Sequence, residues 1–130
     1  MWVLYPAAVH VAAVFRMGLE LPGVEESTAF GAPALKVKGK LMTAVPTNKS
    51  AEPGSLLFRM DRRDRGVLLA EAPDLYYCPD HYVGYDGVLV RLNRLSPEVA
   101  RDLLAMAHRW VGRDGRRRKA AGRKGEERHK

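Results

Sequence analysis

One cysteine, Cys78, stands in 130 residues, so no internal disulfide can form and a reducing compartment, the cytoplasm, is the expected setting. A zinc-type Cys/His cluster is missing. So are a phosphate-cradling glycine loop, a Gly-x-Ser-x-Gly elbow and a His-Glu-x-x-His helix, which removes the commonest enzyme signatures. The segment Trp2 to Phe15 is apolar but has no basic start, and His10 and Arg16 interrupt it short of the ~20 residues a membrane helix needs. A soluble chain without signal peptide is expected. The length and the 46% hydrophobic content suit one core-forming domain.

Charge is unevenly spread. The chain carries a formal +7, but residues 1–112 hold 13 Lys+Arg against 12 Asp+Glu, whereas residues 113–130 hold 9 against 3. Basicity therefore belongs to the segment 113–130, where no aliphatic or aromatic side chain larger than alanine occurs. Such a segment cannot bury enough apolar surface to offset ordering entropy, and it is expected to be a disordered tail on a 1–112 domain.

Hydrophobic periodicity gives the elements. Ala8, Val11, Ala12, Phe15 and Leu19 form one helical stripe over residues 7–19, closed by Pro22-Gly23. Leu35 and Val37 alternate with Lys36 and Lys38, and Gly39-Lys40 turns the chain into Leu41 to Val45, which predicts a hairpin with a lysine-bearing face. Ser55 to Met60 is a strand, with Leu56, Phe58 and Met60 on one side and Leu57 and Arg59 on the other. Asp61 and Asp64 cap a short helix that buries Val67, Leu68 and Leu69. Leu75 to Cys78 and Gly87 to Asn93 are two further strands. Ser96-Pro97-Glu98 starts a last helix, expected to end at Gly112. The connections are too short for parallel crossovers, so the expected fold class is α+β, a two-layer sandwich of an antiparallel sheet with helices.

The block Leu21 to Lys40, together with Pro79-Asp80-His81-Tyr82-Val83-Gly84-Tyr85 and Val88 to Leu92, resembles the signature of the MmcQ/YjbR-like family over about residues 8 to 112. The resemblance implies a compact unit of the double-wing type with a DNA-binding role and no assigned reaction. His81, Tyr82, Gly84 and Tyr85 match a recurrent family motif. At Asp86-Gly87 many relatives carry a bulkier residue, so one family surface feature is in doubt here.

Three groups of residues carry candidate chemistry. Lys36, Lys38 and Lys40 can contact successive phosphates, with Arg59 and Arg91 extending the stripe if strand order permits; a solvated face that guards a strand edge accounts for the same lysines. The loop Tyr76 to Tyr85, with His81, Tyr82 and Tyr85, has the parts of a single-strand stacking platform or a small-molecule pocket, and equally those of a sheet cover. Arg116, Arg117, Arg118, Lys119, Arg123 and Lys124 can hold any polyanion, or serve only solubility.

Two weaker constellations complete the set. Glu25-Glu26 is the ordinary composition of a helix exit or turn rather than an acid/base pair, and Gly31 and Pro33 shape the entry to the hairpin. Cys78 and His81 lack the third ligand or the oxyanion hole that metal or thiol chemistry needs. The expected function is thus nucleic-acid binding without catalysis or cofactor. A small-ligand or protein interaction module using the Tyr/His loop is the alternative.

Overall fold

The computed structural model of the chain describes residues 10–128, with side chains through Arg113. The elements in order are α1 (Val11–Gly18), β1 (Val24–Ala29), β2 (Ala32–Val37), β3 (Lys40–Ala44), β4 (Ser55–Arg59), α2 (Arg62–Glu71), β5 (Tyr76–Tyr77), α3 (Asp80–Val83), β6 (Gly87–Arg91), a 3-10 turn (Leu92–Arg94) and α4 (Pro97–Arg128). The six strands form one sheet in the order β1-β2-β3-β4-β6-β5, and each neighbouring pair is antiparallel. The α+β class expected from the sequence is the class observed.

Alternation decides what each strand buries. Leu35, Met42, Leu56, Phe58, Val88 and Val90 point to one face and meet Val14 and Phe15 of α1 and Leu103, Leu104 and Ala107 of α4, all buried. Close approach of α1 depends on Gly18, where a Cβ would come within 2.5 Å of Leu35 Cδ1. Ser96 caps α4 by accepting from the Val99 amide at 3.2 Å, and Asp61 caps α2 by accepting from Arg63 N–H at 2.7 Å. The opposite sheet face carries a smaller cluster, Leu57, Leu89 and Tyr82, bordered by Leu41, Tyr77 and Tyr85.

Several expectations are corrected. The first helix begins at Val11, and the part of the expected stripe before residue 10 lies outside the described residues. Residues 24–29, expected as a turn around Glu25-Glu26, form the edge strand β1, paired along its whole length with β2. The cause is tertiary: β2 offers a complete ladder that a charged, polar segment can join. On α2, Val67 is exposed, and Arg65 takes the buried position beside Leu68 and Leu69. Residues 80–83, expected as loop, make the single turn α3.

The last helix does not end at Gly112: its backbone continues to Arg128. Arg, Lys and Ala propagate a helix well, and each glycine there costs only about 1 kcal/mol where proline would break it.

Both two-residue hairpin turns are strained in the same way. Ala29 pairs with Ala32 across Phe30-Gly31, and Val37 pairs with Lys40 across Lys38-Gly39. Their φ angles are 53° and 80° in the first turn and 51° and 79° in the second, the type I′ pattern that normally selects Asn-Gly. Among the described residues, Phe30 and Lys38 are the non-glycine residues with positive φ.

Candidate nucleic-acid interface

Three arginines spaced three residues apart build the site. Arg59 ends β4, and Arg62 and Arg65 follow on α2, so all three face the segment that joins α3 to β6. Arg59 Nε donates to the Asp86 carbonyl at 2.8 Å, and its Nη1 donates to the Tyr85 hydroxyl at 2.9 Å. Arg62 pairs with the Asp86 carboxylate at 2.7 Å and donates to the Gly84 carbonyl at 2.7 Å. Arg65, only 9% exposed, donates to the carbonyls of Tyr85 at 2.8 Å, Val83 at 3.1 Å and Gly87 at 3.2 Å. These bonds add to the loop's own turns, in which the Tyr85 N–H donates to the Tyr82 carbonyl at 3.0 Å and the Gly87 N–H to the Tyr85 carbonyl at 2.9 Å. The motif His81-Tyr82-x-Gly84-Tyr85 is the clamped segment.

The clamp sets a wall of a pocket. Tyr82 is buried against Leu57 and Leu89, its ring edge-on to His81 at 4.9 Å between centroids, while His81 itself is exposed. Burial raises the Tyr82 phenol pKa above its ordinary value, with a hydrogen bond from the Asn48 backbone acting in the other direction. Beneath α3 the open sheet face leaves a cavity of about 460 Å³, walled by Leu41, Leu57, Tyr82 and Tyr85, with His81, Thr47 and Asn48 on its rim and Phe30 at the far hairpin tip. Phe30 is 92% exposed. Among the described residues, none that lines the cavity is acidic.

Arg59 and Arg91 do not extend a lysine stripe. The Arg59 guanidinium is sandwiched between the Tyr85 ring at 4.2 Å and the Trp110 ring at 4.5 Å. Arg91 holds the Glu52 carboxylate with two bonds of 2.9 and 2.7 Å, donates to the Pro73 and Asp74 carbonyls, and covers the Tyr77 ring at 4.4 Å. That hydrogen bond lowers the Glu52 pKa and raises that of Arg91. β4 and β6 are neighbours, yet Arg59 pairs with Gly87 and Arg91 with Ser55, so the two arginines mark opposite ends of the pair.

The lysines also separate. Lys36 lies on the pocket face, opposite Glu25 on one side and Leu41 on the other. Lys38 occupies the turn and is exposed, because β2 ends at Val37. Lys40 pairs with Val37, which packs on the helix-side core, so it shares that other face. The three cations cluster around one hairpin end without forming a line.

Glu25 and Glu26 oppose Lys36 and Leu35 respectively and so face opposite sides of β1. Cys78 is half-buried, with its Sγ 4.0 Å from the Pro79 carbonyl, and no metal-binding group of three His, Cys, Asp or Glu occurs among the described residues. The side chains of Arg116, Arg117, Arg118, Lys119, Arg123 and Lys124 lie outside the described residues. Sequence reasoning misses Arg62 and Arg65, for which an arginine on the apolar side of a short helix is the available signal.

An open six-stranded antiparallel sheet, with α1 and α4 on one face and an aromatic hollow beneath α3 on the other, defines an α+β domain. A model of the YjbR family matches residues 19–110, and the chain belongs to that family. No curated protein matches the chain. Among the described residues no helix is long and apolar enough to cross a membrane.

Proposed function

We propose that this domain binds nucleic acid in the cytoplasm, without catalysis or cofactor, through the sheet end at which the lysine hairpin, the clamped α3 loop and the departing basic helix converge. The observation that carries the reading is the stack Trp110–Arg59–Tyr85. It ties the last packed turn of α4 to a wall of the aromatic pocket, and the cation-rich run from residue 113 continues α4 from that turn. Lys36 stands across from the pocket residue Leu41 on the same face, and Lys38 projects from the adjoining turn. The hairpins tipped by Phe30 and Lys38 are then the two wings, separated by the six residues of β2, about 20 Å.

Cations around an aromatic surface suit a polyanion whose bases can stack. Fluorescence polarisation of the full chain against labelled single strand and duplex over a salt series tests this. Replacing Lys36 with Gln and Lys38 with Asn removes two charges without placing like charges opposite Glu25, and Asn also suits the turn. The pair lowers affinity and flattens the salt slope by about 0.7 for each phosphate of a single strand that the lysines had neutralised. Unchanged affinity and slope contradict the reading.

A second reading, a small-ligand or protein interaction module, is favoured by the same cavity of about 460 Å³, which falls within the size range of ligand pockets. It predicts a thermal shift with a metabolite in the absence of nucleic acid.

A further inference from the structure

We infer that the pocket beneath α3 receives one unstacked base of a single-stranded nucleic acid, with Phe30 as the ring that packs against it. The inference rests on the nucleic-acid reading and specifies which part of the polymer the pocket engages.

Phe30 supplies the first argument. It occupies a left-handed position, φ 53°, in a turn where Asn is at home, and a bulky side chain is disfavoured there. Its ring recovers nothing from packing, because it is 92% exposed. Strain and an exposed aromatic ring at the mouth of a cavity point to a side chain used by something outside the fold.

The pocket supplies the second. Leu41, Leu57, Tyr82 and Tyr85 give apolar and π surfaces, while His81 and Asn48 on the rim offer the hydrogen-bonding groups that read a base edge. The Asn48 side-chain oxygen already accepts the Ser50 amide at 2.9 Å, which leaves its NH₂ to donate to a ligand. The arginine clamp holds the Tyr85 backbone and hydroxyl before any ligand arrives, so binding costs little further ordering.

Charge supports a polymer with phosphates as the occupant. Among the described residues no acidic side chain lines the cavity, Lys36 shares its face with Glu25 beside it on the edge strand, and Lys49 is exposed next to Asn48. Phosphates on either side of a seated base would therefore meet cations. A duplex keeps its bases stacked and paired and cannot present one to a pocket, so the polymer must be single-stranded or locally opened.

The test uses the full chain and three labelled probes: an oligothymidylate, a strand of the same length made of abasic sites, and a duplex. Wild type binds the thymidylate strand about tenfold tighter than the abasic strand, the size of one stacking interaction. Phe30→Ala loses that preference, Phe30→Tyr keeps it, and the salt slope stays the same in both, with thermal melts confirming the fold. Equal affinity for thymidylate and abasic strands overturns the inference, as does a Phe30→Ala variant that retains the preference. Competition by free thymidine monophosphate as effective as the strand also overturns it, in favour of a small-ligand site. Failure to bind any probe at low salt removes the underlying nucleic-acid reading as well. Equal binding of all three probes leaves that reading standing and removes only the base pocket.

Discussion

Arg59 both stacks on the ring of Tyr85, 4.2 Å from its centroid, and donates to the hydroxyl of that same ring at 2.9 Å. An arginine that the sequence offers as a free phosphate contact is thus committed to an aromatic wall, and Trp110 closes its other side. Arg59, Arg62 and Arg65 hold the loop, whereas Lys36 and Lys38 on the neighbouring hairpin make none of these bonds, and only the lysines are available to a ligand.

Arg65 is the most deeply committed of the holding group. Arg65→Met leaves the carbonyls of Val83, Tyr85 and Gly87 without their donor and is expected to cost about 2–3 kcal/mol. Urea unfolding gives the value. Arg65→Lys keeps the charge but cannot span the same acceptors, so it falls between wild type and Met. If Arg65→Met unfolds at the wild-type midpoint, the loop is not held by this clamp.

Phe30→Asn separates stability from binding. Asparagine tolerates the left-handed turn, so relief of strain of about 1 kcal/mol is expected, seen as a higher melting temperature. The same variant loses the preference for base-bearing strands. A lower melting temperature would show that the exposed ring supports the fold instead.

Gly18→Ala places a methyl carbon 2.5 Å from Leu35 Cδ1 and 3.3 Å from Leu104 Cδ2, where α1 meets the sheet and α4. Overpacking there outweighs the helix propensity gained, with a net loss of roughly 1–3 kcal/mol by chemical denaturation. Gly87→Ala meets the Phe58 carbonyl oxygen at 2.9 Å, a backbone atom with little room to yield, and destabilises as well. Equal or greater stability for Gly18→Ala would mean that α1 sits farther from the sheet.

Protonation gives two opposite signatures. The Arg91 hydrogen bond holds the Glu52 carboxyl below the ordinary carboxylate range, so its contribution is present above the unfolded pKa and is lost as the pH falls through the folded one. The pair is exposed, and added salt shrinks the effect. Glu52→Gln is accordingly less stable than wild type at neutral pH and converges with it in acid, by thermal melts across the pH range. Burial raises the Tyr82 pKa, so its contribution is intact below the ordinary tyrosine value and is lost as the pH rises through the folded one. Tyr82→Phe should reduce the alkaline dependence, leaving the part that comes from buried Tyr76, whose pKa is raised as well. A Glu52→Gln difference that stays constant into acid contradicts the ion pair.

Strong local signals decide what is legible in the sequence. Ser96-Pro97-Glu98 fixes a helix start by chemistry alone, and the apolar runs Leu56-Leu57-Phe58 and Val88-Leu89-Val90 mark central strands because both of their faces are buried. β1 carries no such signal: Val24-Glu25-Glu26-Ser27-Thr28-Ala29 is a strand because β2 lies beside it. The tyrosine loop stands out by composition, but the partners that shape it, Arg62 and Arg65, lie about 20 residues upstream and bond to backbone carbonyls. No residue pattern announces a bond to a carbonyl. The same limit hides Phe30, whose significance is its exposure and its φ angle.

Central to the account is a polyanion held by the aromatic pocket together with the basic continuation of α4, and the salt dependence of single-strand binding tests it most directly. Full-length wild type is compared with a full-length variant in which Arg116, Arg117, Arg118, Lys119, Arg123 and Lys124 are glutamine. Binding of wild type should weaken linearly in log–log form with salt, and the variant should lose up to about 4 from that slope while keeping its preference for base-bearing over abasic strands. Wild-type affinity that does not change with salt, or a variant that loses the base preference together with its charge, would contradict the account.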